Sequence, residues 1–368
     1  MKLLFKIPIG FLNLIYLLFK LLPVRDKITF ISRQADQPTE DIELLGSELE
    51  KESPDTQVVY LCKTIKSGAG PMIAYCFHIL RQMYHIATSK AVILDSYCMG
   101  VSLLKQRSSL KVIQMWHALG SLKKFGYSIL DEAEGRSTGT AKAMKMHKNY
   151  SYILTSSKEC APYFCEAFGY DISYACVMSL PRVDKIKDEQ NRERIKERIY
   201  EEYPQFRDRR VVVYAPTFRK DKDISTQIDS LAKAFDTSVY AFVLKKHPLM
   251  KVECECLVDD KFSTLEMIFA ADYVICDYSA VVFEAALAEK PLFFYTFDYK
   301  EYGVDRDFYI DYMAEMPGII TPHASEIAAA VAEGDFDMKR VQDFAEKYVS
   351  DQHDCTKKLA EFVLKEIQ

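Results

Sequence analysis

Short apolar runs of strand character recur along the chain, and each is followed by a polar break and a longer segment of helical spacing. The unit is clearest at 271–295. Tyr273-Val-Ile-Cys276 is β-branched and apolar, Asp277-Tyr278-Ser279 is polar, 281–287 is apolar on most faces, and 292–295 is apolar again. Strand, turn, buried helix, strand is a βαβ unit, and such units build parallel sheets. The same pattern predicts strands at 28–31, 58–61, 91–94, 111–115, 152–155, 210–214 and 240–244. Helices are expected at 39–50, with Thr39 as N-cap, and at 71–87, 99–106, 158–168, 225–235 and 264–270. From Ser325 onward the pattern is helical.

Between 184 and 208 the rhythm breaks into a run dense in Lys, Arg, Glu and Asp, which reads as a solvated helical linker. The expected organisation is therefore two Rossmann-like domains, 26–183 and 209–335, followed by a C-terminal helix at 336–368. Open α/β sheets bind ligands at the carboxyl ends of their strands, so a cleft faced by both domains is the expected ligand site.

Residues 1–25 stand apart. The stretch 7–19 is nearly all apolar, interrupted by Pro8, Gly10 and Asn13 and flanked by Lys2, Lys6, Lys20, Arg25 and Lys27. It is short for a spanning helix, and 21–24 offers no small-residue cleavage site. The expectation is an amphipathic interfacial helix that anchors the chain to an anionic membrane surface. The competing reading is a helix packed on the protein core.

Composition narrows the partners. The 368 residues are 49% hydrophobic and 27% charged, as in ordinary globular proteins, and the net charge of −5 gives no general attraction to nucleic acid. The ten cysteines are scattered. Cys62, Cys76, Cys98 and Cys276 fall in apolar patterns and read as buried, reduced thiols of a cytosolic protein. Cys254-Glu-Cys256 has no second ligand pair at zinc spacing, so no metal site is expected.

Four polar clusters follow predicted strands. They are Trp116-His117, with Lys123-Lys124 beyond it; Thr217-Phe218-Arg219; Lys246-His247; and Asp277-Tyr278-Ser279. Singly, each has a bland explanation: a hydrogen-bonded histidine, solvated lysines, or Asp277 or Ser279 capping a helix. Together they suit one polyanion, because cations and a helix N-terminus both hold a diphosphate. No GxGxxG is present, so the dinucleotide fingerprint is missing.

The strings Gln114-Met-Trp-His117, Lys123-Lys-Phe-Gly126, Tyr214-Ala-Pro-Thr-Phe-Arg219, Lys246-His-Pro248 and Asp277-Tyr-Ser279 resemble the CDP-glycerol glycerophosphotransferase family, the teichoic acid primases and polymerases of Gram-positive bacteria. Lys290-Pro-Leu-Phe-Phe-Tyr295, Arg306-Asp-Phe-Tyr309, Asp311 and Pro317-Gly318 extend the match. The resemblance implies a GT-B-like α/β fold and a C-terminal domain that holds the nucleotide. The donor it implies is CDP-glycerol or CDP-ribitol, with no further cofactor required that the sequence shows. It implies an undecaprenyl-type lipid-linked acceptor and a peripheral location on the cytoplasmic face of the membrane. Ala118, Ala280 and Glu284 depart from the Gly, Ser and Asp usual in the family. The extra N-terminal region of the long polymerases is not in the sequence, which favours a primase or short-chain transferase.

In such a transfer a hydroxyl of the acceptor attacks the β-phosphorus and CMP leaves. The hydroxyl needs a base of near-neutral pKa, and the diphosphate needs donors aimed at its oxygens. His117, on the acceptor side, is expected to be the base. His247 is expected to serve the diphosphate as donor or leaving-group acid. Trp116, Lys123, Lys124, Thr217, Arg219, Lys246, Asp277, Tyr278, Ser279 and Arg306 are the expected substrate contacts, with Asp277 more a positioning group than a metal ligand. The alternatives are a GT-B glycosyltransferase using a nucleotide sugar and a non-catalytic membrane scaffold.

Overall fold

The computed structural model describes residues 2–220, 222–247, 249–305 and 307–368. The chain forms two compact units. The first comprises Met1–Ala118, Phe125–Asp184 and Asp351–Gln368, and the second Leu119–Lys124 and Lys185–Ser350.

In the first unit six parallel strands form one sheet: β1 (Lys27–Ser32), β2 (Gln57–Cys62), β3 (Ala91–Leu94), β4 (Lys111–Gln114), β5 (Tyr152–Thr155) and β6 (Ala175–Val177). Their order is β2-β1-β3-β4-β5-β6. β1 and β3 are buried along their whole length; β3 is accordingly an unbroken apolar run, while β1 carries Thr29 and Ser32, whose buried hydroxyls pair with Ser89 and Asp95. The order reverses between β1 and β3, so a crevice opens beyond their carboxyl ends. Three helices bear on the argument: α1 (Lys2–Phe19), α2 (Glu40–Glu52) and α3 (Ala69–Thr88). α2 turns Ile42, Leu45 and Leu49 inward. Thr39 is its N-cap residue, but its side chain makes no capping bond.

The last helix, Cys355–Glu366, belongs to this first unit and packs on α2. Asp184 accepts from the backbone N–H groups of Cys355 and Thr356, at 2.9 and 2.8 Å, and so caps it from a distant part of the chain. Glu366, near its end, receives Lys111 and Tyr152.

The second unit repeats the plan with β7 (Arg210–Ala215), β8 (Tyr240–Leu244), β9 (Leu257–Val258), β10 (Tyr273–Cys276), β11 (Leu292–Tyr295) and β12 (Ile319–Thr321), all parallel, in the order β12-β11-β10-β7-β8-β9. This is the Rossmann order, with its reversal between β7 and β10. Val212, Tyr214, Ile275 and Phe293 lie in its core together with Ile228 from helix Ser225–Lys233.

Three further features differ from expectation. The helix expected at 336–368 is two, Met338–Tyr348 and Cys355–Glu366. The charged run at 184–208 is not a free linker. Helix Glu189–Glu202 buries Ile195 and Ile199, one turn apart, and packs on helix Thr264–Ala270 of the second unit. Cys76, expected to be buried, is exposed on α3.

Candidate active site

The first cluster is built by a sharp turn after β4. The backbone N–H groups of Met115 and Trp116 both donate to the carbonyl of Leu94 at the end of β3, at 2.7 and 3.3 Å. The Gln114 side chain accepts a second bond from Trp116 N–H at 3.0 Å. These bonds hold Trp116 at φ 61°, a left-handed conformation that a bulky residue adopts only when its surroundings enforce it. The indole completes the enforcement, stacking on Phe125 at 5.1 Å and meeting Phe168 edge-on at 5.2 Å. Trp116 thus shapes the turn that aims the next residue.

That residue is His117. Its Nδ1 lies 2.7 Å from the backbone carbonyl of Asp95, just past β3. Gln34, past β1, places its amide nitrogen 3.1 Å from the same ring nitrogen. The Asp95 carbonyl only accepts and is the closer partner, which puts the proton on Nδ1; the Gln34 amide then faces this N–H with its oxygen, its two ends being interchangeable, and Nε2 of the neutral ring keeps its lone pair. Burial pushes the His117 pKa below the usual imidazole value, against the opposing effect of the Asp95 carbonyl bond. The ring is therefore a neutral base with its basic nitrogen facing away from Asp95. Asp41, buried at the start of α2, holds Arg182 by a 2.8 Å bond to Nε, and Arg182 reaches the His117 carbonyl at 3.4 Å.

The second cluster lies where β7 and β10 end, at the reversal of the second sheet. Asp277 is fully buried, and its Oδ1 accepts from the N–H groups of Thr217, at 2.8 Å, and Tyr278, at 2.6 Å. One carboxylate oxygen thereby joins the two strand ends that border the crevice. The Thr217 hydroxyl is buried there with no hydrogen-bond partner among the described residues. Buried hydroxyls are rarely left unpaired, so a ligand contact would account for it. Ser279 is half-buried, and its Oγ is 3.4 Å from Val281 N. Helix Val281–Leu287 starts after Ala280, which has no side chain able to cap it, and the Ser279 hydroxyl accepts the N–H of its first residue.

His247 follows β8 and is exposed, with its ring 5.2 Å from that of Phe218. Its Nδ1 accepts from the backbone N–H of Leu249 at 3.2 Å. The neutral ring then carries its proton on Nε2 and presents a donor, the opposite tautomer to His117. Partial burial lowers its pKa from the usual value. Lys246 is half-buried beside it.

Several expected contacts are already engaged inside the protein. Arg219, expected at a phosphate, is 8% exposed and grips Asp298 through Nε at 2.6 Å and Nη2 at 2.9 Å. Its Nη1 serves the Thr217 carbonyl and the Asp277 carboxylate, at 2.8 and 2.9 Å. A buried guanidinium so committed is a strut between strand ends. Tyr278 is fully buried, stacks on Tyr302 at 4.1 Å and reaches Asp298 at 3.1 Å, so it too is scaffold. Asp277 itself is the linchpin of this network and meets no solvent. Lys123 donates to the Tyr302 hydroxyl at 2.8 Å, and Lys124 to Asp307 at 2.5 Å. Arg306 lies outside the described residues. Sequence reasoning missed Asp298, Gln34 and the backbone of Asp95. Asp298 was legible only as a lone acid after β11, and a backbone carbonyl leaves no trace in side-chain patterns.

The family model described as CDP-Glycerol:Poly(glycerophosphate) glycerophosphotransferase matches residues 14–365. The chain belongs to this family. It is thus an enzyme of the CDP-alditol phosphotransferase kind, and the match favours that reading over the nucleotide-sugar glycosyltransferase and the scaffold. Over 363 residues the chain is 29% identical to the teichoic acid ribitol-phosphate primase of Bacillus spizizenii, covering 94% of this chain and 93% of the relative. It is 30% identical over 251 residues to the teichoic acid glycerol-phosphate primase of Bacillus subtilis, covering 66% of this chain and 64% of that one. Among solved structures it resembles the wall teichoic acid polymerase TagF, with a TM-score of 0.77 at 19% identity, covering 100% of this chain and 97% of the other. At that identity the likeness bears on the fold, and it agrees with the GT-B-like class of two Rossmann-like domains.

Proposed function

We propose that this member of the family transfers ribitol phosphate or glycerol phosphate from the CDP-alditol to a hydroxyl of a lipid-linked acceptor in teichoic acid synthesis. Nε2 of His117 takes the proton of the attacking hydroxyl. The hydroxyl oxygen bonds to the β-phosphorus, the bond from that phosphorus to the CMP oxygen breaks, and CMP leaves. His247 donates from Nε2–H to a phosphate oxygen or to the leaving group. Lys246, Ser279 and the Thr217 hydroxyl hold the donor, and Lys123 and Lys124 supply positive charge at 123–124. Arg306 remains a proposed phosphate contact on sequence grounds alone.

The observation that carries this reading is the Nδ1 bond of His117 to the Asp95 carbonyl, which leaves a neutral imidazole with its basic nitrogen available. A histidine of the opposite tautomer in the second unit, His247, supports the division of roles. The near end-to-end match to a ribitol-phosphate primase supports a primase-type transfer and makes CDP-ribitol the first donor to test.

We further propose that α1 holds the enzyme peripherally on the cytoplasmic face of the membrane, where a lipid-linked acceptor resides. No helix among the described residues is long and apolar enough to cross a membrane. α1 packs on the body through buried Tyr16 and through Asn13, yet exposes Phe11, Leu14, Leu17 and Leu18 on its other side.

The test is CMP release from purified enzyme given CDP-ribitol, CDP-glycerol or UDP-N-acetylglucosamine. Each donor is paired with a lipid-linked disaccharide, bare or already carrying glycerol phosphate. Release from one CDP-alditol, lost in His117→Ala, is the expected result. UDP release from the sugar nucleotide would overturn the reading.

A further inference from the structure

Cys254-Glu-Cys256 is the closest-spaced cysteine pair in the chain, and the proposed reaction makes no use of it. The Cys256 thiol donates towards that of Cys254, with the two sulfurs 3.4 Å apart. Backbone bonds set this up. Glu253 N–H donates to Ser225 Oγ at 3.1 Å and Glu255 N–H to Asp229 Oδ1 at 3.0 Å, which pins the segment to helix Ser225–Lys233. The Glu255 carboxylate adds an ion pair with Lys233 at 3.1 Å. The alternate residues Val252, Cys254 and Cys256 pack instead against the core that holds Leu244 and Met250. Two thiols on one face of a pinned segment are thus held close without being bonded. A disulfide is about 2.05 Å long, so side-chain rotation with a small backbone shift closes the gap.

Both thiols are half-buried rather than sealed. Cys256 also lines a cavity of about 340 Å³ beside Phe206, Tyr240 and Phe242, ample for a small oxidant. We infer that Cys254 and Cys256 are a reversible dithiol–disulfide switch, oxidised by a hydroperoxide, on the segment that leads from His247 to β9. The Cys254 sulfur attacks the terminal peroxide oxygen, the O–O bond breaks, and the Cys254 proton leaves with the departing oxygen as water or an alcohol. The Cys256 sulfur then attacks the sulfenic acid so formed. The S–S bond forms, the S–O bond breaks, and the Cys256 proton leaves with the hydroxyl as water. The two sulfurs give up two electrons and the peroxide takes them. A dithiol, or two molecules of a small thiol, returns both electrons and becomes a disulfide itself. Burial, with the bond to Cys254 added, pushes the Cys256 thiol up to about 12, so the first attack falls to Cys254. The ring closed is small, so the bond adds little stability and suits a switch rather than a staple.

The other end of the segment is the turn that fixes His247. Leu249 N–H donates to His247 Nδ1 at 3.2 Å, and Met250 N–H to the His247 carbonyl at 2.8 Å. Met250 lies in the same core cluster that Val252, Cys254 and Cys256 pack against. Drawing the two sulfurs together disturbs that shared packing and loosens the turn. The effect on transfer rests on the donor-side role proposed for His247; the disulfide itself does not.

The test uses the full chain and hydrogen peroxide, without substrates. Trypsin cuts after Lys251 and Lys261, so both cysteines fall in the fragment 252–261. Mass spectrometry of that fragment should show the loss of two hydrogens, restored by dithiothreitol. Amide exchange at Leu249 and Met250 should rise on oxidation of the parent and stay at the reduced level in Cys254→Ser and Cys256→Ser, with folding checked by thermal melting. CMP release, measured in parallel, should fall in the oxidised parent, return with dithiothreitol, and resist peroxide in both variants. A fragment that gains oxygen at one sulfur, or that bonds to another cysteine such as the exposed Cys76, would overturn the switch. So would a disulfide that leaves exchange at 249 and 250, or CMP release, unchanged. Reduced protein that releases no CMP would count against the transfer reading alone, because fragment mass and amide exchange are read without it.

Discussion

At the residue scale the two histidines differ in what their Nδ1 atoms face, and this gives them different pH behaviour. His117 must be neutral to accept a proton, and burial sets its pKa below the usual imidazole value. The acid limb of kcat against pH should therefore fall below the ordinary histidine range, with activity retained as pH drops through about 6.5. A limb above that value would assign the base elsewhere. His117→Ala should lower kcat by about 10²–10⁴ with little change in CDP-alditol binding by calorimetry. Arg219 should behave in the opposite way. It is the buried centre of an ion network with Asp277 and Asp298, so Arg219→Gln strands two carboxylates and should cost about 3–5 kcal/mol of stability. Thermal unfolding would show a drop of roughly 10 °C. A variant of unchanged melting temperature but weakened donor binding would restore Arg219 to the phosphate site.

At the element scale, what the sequence reveals depends on burial. Strands 91–94, 152–155, 240–244, 273–276 and 292–295 are legible to the residue because, apart from ends and edges, they are apolar runs closed by polar turns. The three strands that pattern reading misses, β6, β9 and β12, are the outermost strands of their sheets at the two or three residues where pairing persists. An edge strand has one hydrogen-bonded flank and little buried surface, so its sequence carries almost no periodic signal. The candidate site follows the same logic. The polar clusters do follow strand ends, but residue type does not tell an available side chain from a committed one, and Arg219, Asp277 and Tyr278 are committed. Motif glycines can be read only with coordinates. Gly126 sits at φ 61°, where an added Cβ would lie 2.1 Å from the Ala167 carbonyl oxygen. Gly126→Ala should cost roughly 2 kcal/mol or more, from the left-handed backbone together with a clash against main chain that cannot yield. Chemical denaturation that gives less than about 0.5 kcal/mol would show that this turn relaxes freely.

At the scale of the whole molecule, the last helix does not belong to the unit that precedes it. Helix Cys355–Glu366 buries Leu359, Ala360 and Val363 in the first unit, takes its cap from Asp184, and closes on Lys111 and Tyr152 through Glu366. The two large apolar side chains alone are worth about 3–6 kcal/mol when buried. That is a substantial share of the 5–15 kcal/mol that typically separates folded from unfolded domains. Ending the chain at Ser350 should therefore destabilise the first unit although the missing residues are the most distant in sequence from most of it. Segment-resolved hydrogen exchange makes the expectation specific. Amides of β1, β3, β4 and β5 should lose protection in the truncated protein, while those of β7, β8, β10 and β11 keep theirs, because the helix bonds Lys111, Tyr152 and Asp184 of the first unit. Equal loss in both sheets would mean that the two units unfold as one, and protection unchanged in β1–β5 would mean that the first core stands without its terminal helix.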